Sequence, residues 1–178
     1  MADSEPDILT EQDCPFCHKK TLTMMEQERE VPYFGKVFVF SMDCSSDGCN
    51  YHKADIECAE THEPSKYVLE VTSEEDMKVR VVRSSQATIK IPRIATITPG
   101  PASNGYITNV EGILNRIKVQ TEKLRDEADS PEERKKAKNM VKKLQKIMWG
   151  EDSIKITIED PTGNSAIISE KAVKSKMK

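Results

Sequence analysis

Hydrophobic and polar positions change their period twice along this chain of 178 residues. Residues 66–71, 77–83, 86–92 and 93–98 are rich in Val, Ile and Thr, and Met77-Lys78-Val79-Arg80-Val81 alternates with the period of a half-buried strand. Thr98-Pro99-Gly100-Pro101 and Asn104-Gly105 punctuate this stretch as turns. From residue 108 the period lengthens to that of a helix. Thr108-Asn109-Val110-Glu111 reads as a capping box, and Val110, Ile113, Leu114, Ile117, Thr121, Leu124 and Ala128 then fall three and four apart. A second start follows at Ser130-Pro131-Glu132-Glu133, with Ala137, Met140, Val141, Leu144, Ile147 and Met148 as its apolar face and Gly150 as its stop. Helices joined by so short a turn pack antiparallel, which predicts a helical hairpin over 108–149. The strand period then returns: Ile154, Ile156 and Ile158 alternate with Lys155, Thr157 and Glu159, and Ala166-Ile167-Ile168 follows a turn at Asp160-Pro161-Thr162-Gly163-Asn164. β segments on both sides make the hairpin an insertion into one β body over 59–169.

Composition adds a constraint. Only 37% of the residues are hydrophobic and 32% are charged, with a formal net charge of −3. Globular domains usually hold ~45–50% apolar residues, glycine included. Part of this chain is therefore solvated, or held by something other than a core. The longest aliphatic or aromatic run is Val37-Phe38-Val39-Phe40, far short of the ~18 apolar residues of a membrane helix. Asp3, Glu5, Asp7, Glu11 and Asp13 open the chain without a base, unlike a secretion signal or a transit peptide. A cytoplasmic protein is expected. Residues 1–12 read as a disordered acidic tail, and residues 170–178, with Lys171, Lys174, Lys176 and Lys178, as a loose basic one.

Five cysteines stand at 14, 17, 44, 49 and 58. An odd count without a secretion signal argues against a disulfide framework. Cys14-Pro15-Phe16-Cys17 and Cys44-Ser45-Ser46-Asp47-Gly48-Cys49 are two knuckles, and the residues between them suffice for one strand out and one back. Two such turns on neighbouring hairpins complete a tetrahedral site, so Cys14, Cys17, Cys44 and Cys49 are predicted to hold one structural Zn²⁺ in a ribbon over 13–58. The second knuckle is longer than the usual CxxC. His52 is the alternative to Cys49 as a ligand but reads better as a surface histidine; Cys58 reads as a small core residue.

These residues resemble the ZPR-type zinc-finger protein family. The likeness runs through Cys14-Pro15-Phe16-Cys17, Val31-Pro32-Tyr33-Phe34, Ser41, the second knuckle and Tyr51. It continues through Val81-Val82-Arg83-Ser84, Ala87-Thr88-Ile89-Lys90-Ile91-Pro92, Pro99-Gly100, Thr108 to Leu114 and Asp160 to Ser165. The resemblance implies a mainly β chain with an α insertion: a four-cysteine zinc ribbon and a double-stranded β-helix, or jelly-roll-like, body carrying the helical hairpin. It also implies a single module of the archaeal kind. Its implied partner is translation elongation factor 1-alpha, which family members bind and eukaryotic members help to fold; receptor tyrosine kinase tails are further partners. Here the second knuckle departs from the family's CxxCG.

Catalytic chemistry is not legible. No histidine follows His62, which removes an imidazole-ligated site from the β body. Gly100 to Gly105 has the glycine spacing of a phosphate loop, but Tyr106 and Ile107 stand where Lys and Ser/Thr must be. The second helix carries Arg134, Lys135, Lys136, Lys138, Lys142, Lys143 and Lys146 against Glu132 and Glu133. Lys135, Lys136, Lys142 and Lys143 are the candidate contacts to RNA or an acidic partner, although a solvated face set by the helix dipole accounts for the pattern too. Tyr33 and Phe34 are candidate partner anchors, or pack the ribbon onto the body. The expectation is a non-enzymatic zinc-binding module with a protein client, and the alternative is an RNA-binding or translation-associated ribbon.

Overall fold

A computed structural model of the chain describes residues 5–31, 34–59 and 62–177. Its first part is an antiparallel sheet in the order β1 (Asp7–Asp13), β2 (Lys20–Val31), β3 (Gly35–Cys44), β4 (His52–Cys58). The long β2–β3 hairpin runs from Leu22 opposite Cys44 at its tip to Val31 opposite Gly35 at its base. Its two ends differ in what they bury. Leu22, Cys14 and Cys49 are buried at the tip, while Val31, Val37 and Ile56 are buried near the base.

The second part begins with β5 (Ser65–Val71) and a short 3-10 helix, Glu74–Lys78. It continues through β6 (Arg80–Arg83), β7 (Thr88–Ile91), β8 (Ala95–Ile97) and β9 (Tyr106–Asn109) into α1 (Val110–Asp126) and α2 (Pro131–Met148). β10 (Ile154–Asp160), β11 (Ala166–Ile168) and β12 (Val173–Lys176) complete it. Five strands form a sheet in the order β12-β5-β10-β7-β8, and three form another in the order β11-β6-β9. β10 returns from the helices to lie between β5 and β7, with Ile156 opposite Leu69 and Ile158 opposite both Tyr67 and Ile89. The hairpin is thus inserted within one sheet, as the return of the strand period predicts. Both sheets share one core, which Val110, Ile113, Leu114 and Ile117 of α1 and Leu144, Ile147 and Met148 of α2 join.

Several elements depart from the sequence reading. The acidic segment is not a disordered tail over the described residues: residues 7–13 form β1, with Ile8 opposite Met25 and Leu9 opposite Met24. Residues 1–4 lie outside the described residues. The basic segment likewise contains β12, which pairs Val173 with Val68 and Ser175 with Lys66. Both are edge strands with every residue exposed, so neither shows the alternation that burial on one face imposes. Met77 and Lys78 belong to the 3-10 helix, and the strand starts only at Arg80. The cap of α1 is Asn109, whose Oδ1 accepts from the Gly112 amide at 2.8 Å, rather than Thr108. Both residue types cap well; the β6–β9 ladder continues through Thr108 opposite Val81 to Asn109 opposite Arg80, which carries the strand to Asn109 and moves the helix start on by one. Ser130 caps α2 as expected, accepting from the Glu133 amide.

Polar pins fix the parts. Asp160, fully buried, accepts from the hydroxyls of Ser84, Ser165 and Thr162. At the joint between ribbon and body, Val82 packs with Val31, Val37 and Ile56. There the Gly105 amide donates to the Ala54 carbonyl at 3.0 Å, and Asn104 Oδ1 accepts from the Ala54 amide at 3.0 Å. A Cβ on Gly105 would collide with the Asp55 carboxylate and stand 2.8 Å from the Ile56 nitrogen, whereas one on Gly100 meets nothing within 4 Å.

Gly105→Ala should accordingly cost about 1–3 kcal/mol by forcing the joint apart, read as a fall of several degrees in Tm, with Gly100→Ala near neutral as control. A second pin responds to pH. Asp76 is buried beneath the C-terminal segment and accepts from the Thr72 and Ser73 amides and from Lys171 Nζ at 2.7 Å. Burial pushes its carboxyl up, but the Lys171 ammonium, the Thr72 amide and the Ser73 hydroxyl outweigh that and hold it at about 2. A depressed carboxyl stabilises fully above its unfolded value near 4 and loses that contribution as pH falls through 2. Asp76→Asn should therefore cost about 1–3 kcal/mol at neutral pH, with the deficit shrinking between pH 4 and 2 in urea titrations.

Candidate metal centre

The first knuckle leaves β1 at Asp13 and re-enters the sheet at Lys20; the second leaves β3 at Cys44 and re-enters at His52. In the first, the Cys14 carbonyl accepts from the His18 amide at 2.9 Å, and the Cys14 amide donates to the Lys19 carbonyl at 2.9 Å. His18 takes φ +58 to make that reversal. The second knuckle is closed in the same way, the Cys44 amide donating to the Tyr51 carbonyl at 3.0 Å. Its closing bond spans two more residues than that of the first. A turn in which the Cys49 amide donates to the Ser46 carbonyl, with Gly48 at φ +79, absorbs the extra length. The departure from the shorter CxxC spacing changes the turn and not the direction of the thiols.

Cys14, Cys17, Cys44 and Cys49 place their four sulfurs within 4.8 Å of one another. Cys14 Sγ and Cys49 Sγ are 3.9 Å apart, and Cys17 Sγ and Cys44 Sγ 3.7 Å. A tetrahedron with zinc–sulfur bonds of ~2.3 Å requires sulfur separations of roughly 3.8 Å. The donor set fits Zn²⁺. All five cysteines are free thiols, far from disulfide length. Thr21 Oγ1 lies 3.2 Å from Cys44 Sγ, and the Phe16 amide donates to Cys14 Sγ at 3.4 Å. The Thr21 hydroxyl, and then the Ser46 amide, bring the Cys44 thiol down to about 6, which favours the thiolate that a metal needs. Sequence reasoning misses Thr21, whose place just past the first knuckle is its only signal. Four thiolates fill a tetrahedron and leave no position for water, so the zinc here is structural.

The remaining candidates fall elsewhere. His52 faces Asp43 across the β3–β4 ladder, with Nδ1 at 2.5 Å from the carboxylate. Cys58 lies opposite Val37 and packs against the cluster at the base of the ribbon. Burial pushes its thiol up to about 11. Seven residue steps along β3, or ~23 Å of strand, separate Val37 from Cys44. Tyr33 lies outside the described residues. Phe34 is partly buried against both the body core and the ribbon-base cluster, 5.6 Å from the His62 ring. Lys135, Lys136 and Lys142 are exposed on α2 and Lys143 is partly so. They are distant from the zinc in the chain and belong to a separate surface.

Comparison with known proteins covers both parts. Residues 8–64 match the ZPR1 zinc-finger domain, and residues 75–178 match the ZPR1 jelly-roll domain. An uncharacterized ZPR1-like protein of Methanocaldococcus jannaschii is 39% identical over 160 residues, which are 89% of this chain and 80% of that protein. A second, from Pyrococcus horikoshii, is 34% identical over 93% of this chain and 75% of its own length. The zinc finger chaperone zpr1 of Schizosaccharomyces pombe is 31% identical over 77% of this chain but only 30% of its own length.

Zinc binding to such a site contributes ~10–16 kcal/mol of apparent free energy to folding, and the body has its own core. Chelation should therefore release one zinc per chain and melt the ribbon sheet while the helical circular dichroism persists. Unchanged spectra with no metal released, or loss of the helical signal together with the zinc, would contradict this.

Proposed function

Since the chain belongs to the ZPR1 family, we propose that it is a non-enzymatic, cytoplasmic protein-binding module whose client is translation elongation factor 1-alpha. The observation that carries this reading is the closed thiolate site at the ribbon tip. A zinc with no open position does no chemistry; it fixes the shape of a projecting sheet whose other end is seated on the body through Val31, Val37, Ile56 and Val82. A chaperone role is supported by the name of the Schizosaccharomyces pombe relative, a protein about three times as long as the stretch it shares with this chain. Phe34 packs against both the ribbon-base cluster and the body core. The identity of the client comes from the family resemblance of the sequence.

A second reading, an RNA-binding ribbon, is favoured by one feature of α2. Lys135, Lys136, Lys142 and Lys143 make no ion pair among the described residues, which leaves a positive face uncompensated.

One experiment separates the two. The zinc-loaded chain, immobilised, is expected to retain purified elongation factor 1-alpha, and the Cys14→Ser/Cys17→Ser variant to lose it. Reversal of the four lysines to glutamate should leave that retention intact. RNA binding would instead vanish on the same reversal and fall with salt at about −0.7 per phosphate contact on a log–log plot. Failure to retain the factor with zinc present would sink the leading reading.

A further inference from the structure

A cleft of about 790 Å³ lies between the β8 region and α1. Its apolar wall is made of Ile94 and Ile97 from the β8 region and Val119 and Leu124 from α1. Val119 and Leu124 are 49% and 66% exposed. β8 is the last strand of its sheet, hydrogen-bonded on one side only. An open strand edge beside an apolar cleft is the arrangement that accepts an extended peptide as an added strand.

The charges select the occupant. Arg83 and Arg116 line the cleft and no acidic residue does, in a chain where acids outnumber bases. Their guanidinium groups lie 5.4 Å and 4.1 Å from the centre of the Tyr106 ring. Arg83 is 3% exposed and, among the described residues, donates only to neutral acceptors: the carbonyls of Asn104 and Ala87 and the Ser103 hydroxyl. Its Nε is buried with no partner among the described residues. A buried charge ordinarily has a counter-ion, and among the described residues no carboxylate lies within ion-pair distance of Arg83. Arg116 is equally without one, and its helical neighbours Gly112, Ile113, Val119 and Gln120 are neutral.

We infer that this cleft is a docking site for an extended peptide segment of a partner protein, one in which a carboxylate is flanked by aliphatic side chains. The carboxylate meets Arg116 over the Tyr106 ring and supplies the negative charge that Arg83 lacks. The aliphatic side chains cover Ile97, Val119 and Leu124, and the peptide backbone pairs with β8. This rests on the protein-binding reading above but not on the identity of the client.

The test pans a displayed library of random dodecapeptides on the full zinc-loaded chain. Enriched peptides should carry Asp or Glu next to Leu, Ile or Val. Their affinity should fall about tenfold or more on Arg116→Glu and on Leu124→Asp, as for a central interface contact. Exchange of the peptide's acid for lysine should restore binding to Arg116→Glu. Both positions are exposed, and unchanged zinc content and circular dichroism verify the fold; Val119→Asp replaces any variant that fails this check. The inference is overturned if no peptide is enriched, if enriched peptides lack an acid, or if the substitutions leave their affinity unchanged. Self-association that Arg116→Glu abolishes would overturn it in favour of a second copy. A chain that binds these peptides yet retains no elongation factor 1-alpha keeps the cleft and loses only the proposed client.

Discussion

Coordination of one zinc by four thiolates is the interaction on which the ribbon depends, because every strand of that sheet has an end at the metal. β1 runs into Cys14, β2 leaves the first knuckle, β3 ends on Cys44, and β4 leaves the second. The side chains buried at the tip are few: Leu22 with two of the ligating cysteines. Apolar burial on that scale contributes a few kcal/mol at most, less than the entropy of ordering the two loops. A metal closing both loops at once removes the difficulty, and it also sets the β2–β3 register, since Leu22 lies opposite Cys44. A slip of one residue would carry the second knuckle to the wrong face of the sheet.

The body meets the same problem with other means. Its core takes side chains from both sheets and both helices, so hydrophobic burial carries it. The buried polar groups then choose one arrangement among many of similar burial. Asp160 ties a turn to the strand pair at Ser84 and Ser165, and Asp76 ties the segment before β12 to the start of the 3-10 helix. The joint is polar and apolar together. Val82 supplies the burial, while Asn104 and Gly105 supply backbone-directed bonds to Ala54 that fix the direction in which the ribbon projects. Zinc shapes the far end; the joint aims it.

What the sequence reveals follows the same division. Thiols at knuckle spacing announce the metal, since few other arrangements need them, and the helical hairpin is legible because both its caps and its apolar stripe are local. β10 is legible from Ile154, Ile156 and Ile158. β1 and β12 are hidden because an edge strand with both faces in water needs no apolar alternation; β12 also takes its ladder from β5, distant in the chain, while β1 pairs with the next strand, β2. The onset of α1 is displaced by one residue because Thr108 and Asn109 are equivalent as caps and only the reach of the β6–β9 ladder, which ends at Asn109 opposite Arg80, tells them apart. The Arg83–Tyr106–Arg116 stack is invisible for a similar reason: its three members come from β6, β9 and α1, and nothing local marks them as neighbours.

Charge is segregated along the fold in a way the small net value conceals. Residues 5–58 hold eleven carboxylates against five bases, while residues 110–148 hold seven against eleven. The ribbon is therefore an acidic arm, and the helical insertion is basic. A partner that touched both would need opposite potentials at its two contacts, which fixes orientation as well as encounter rate. RNA satisfies only the basic end, because its backbone is negative throughout and the acidic ribbon would repel it. The cleft beside α1 sharpens the distinction. A phosphate chain asks for a track of cations, whereas this cleft offers one exposed guanidinium set among aliphatic side chains. That is the complement of a lone carboxylate in an apolar segment, which is a property of proteins.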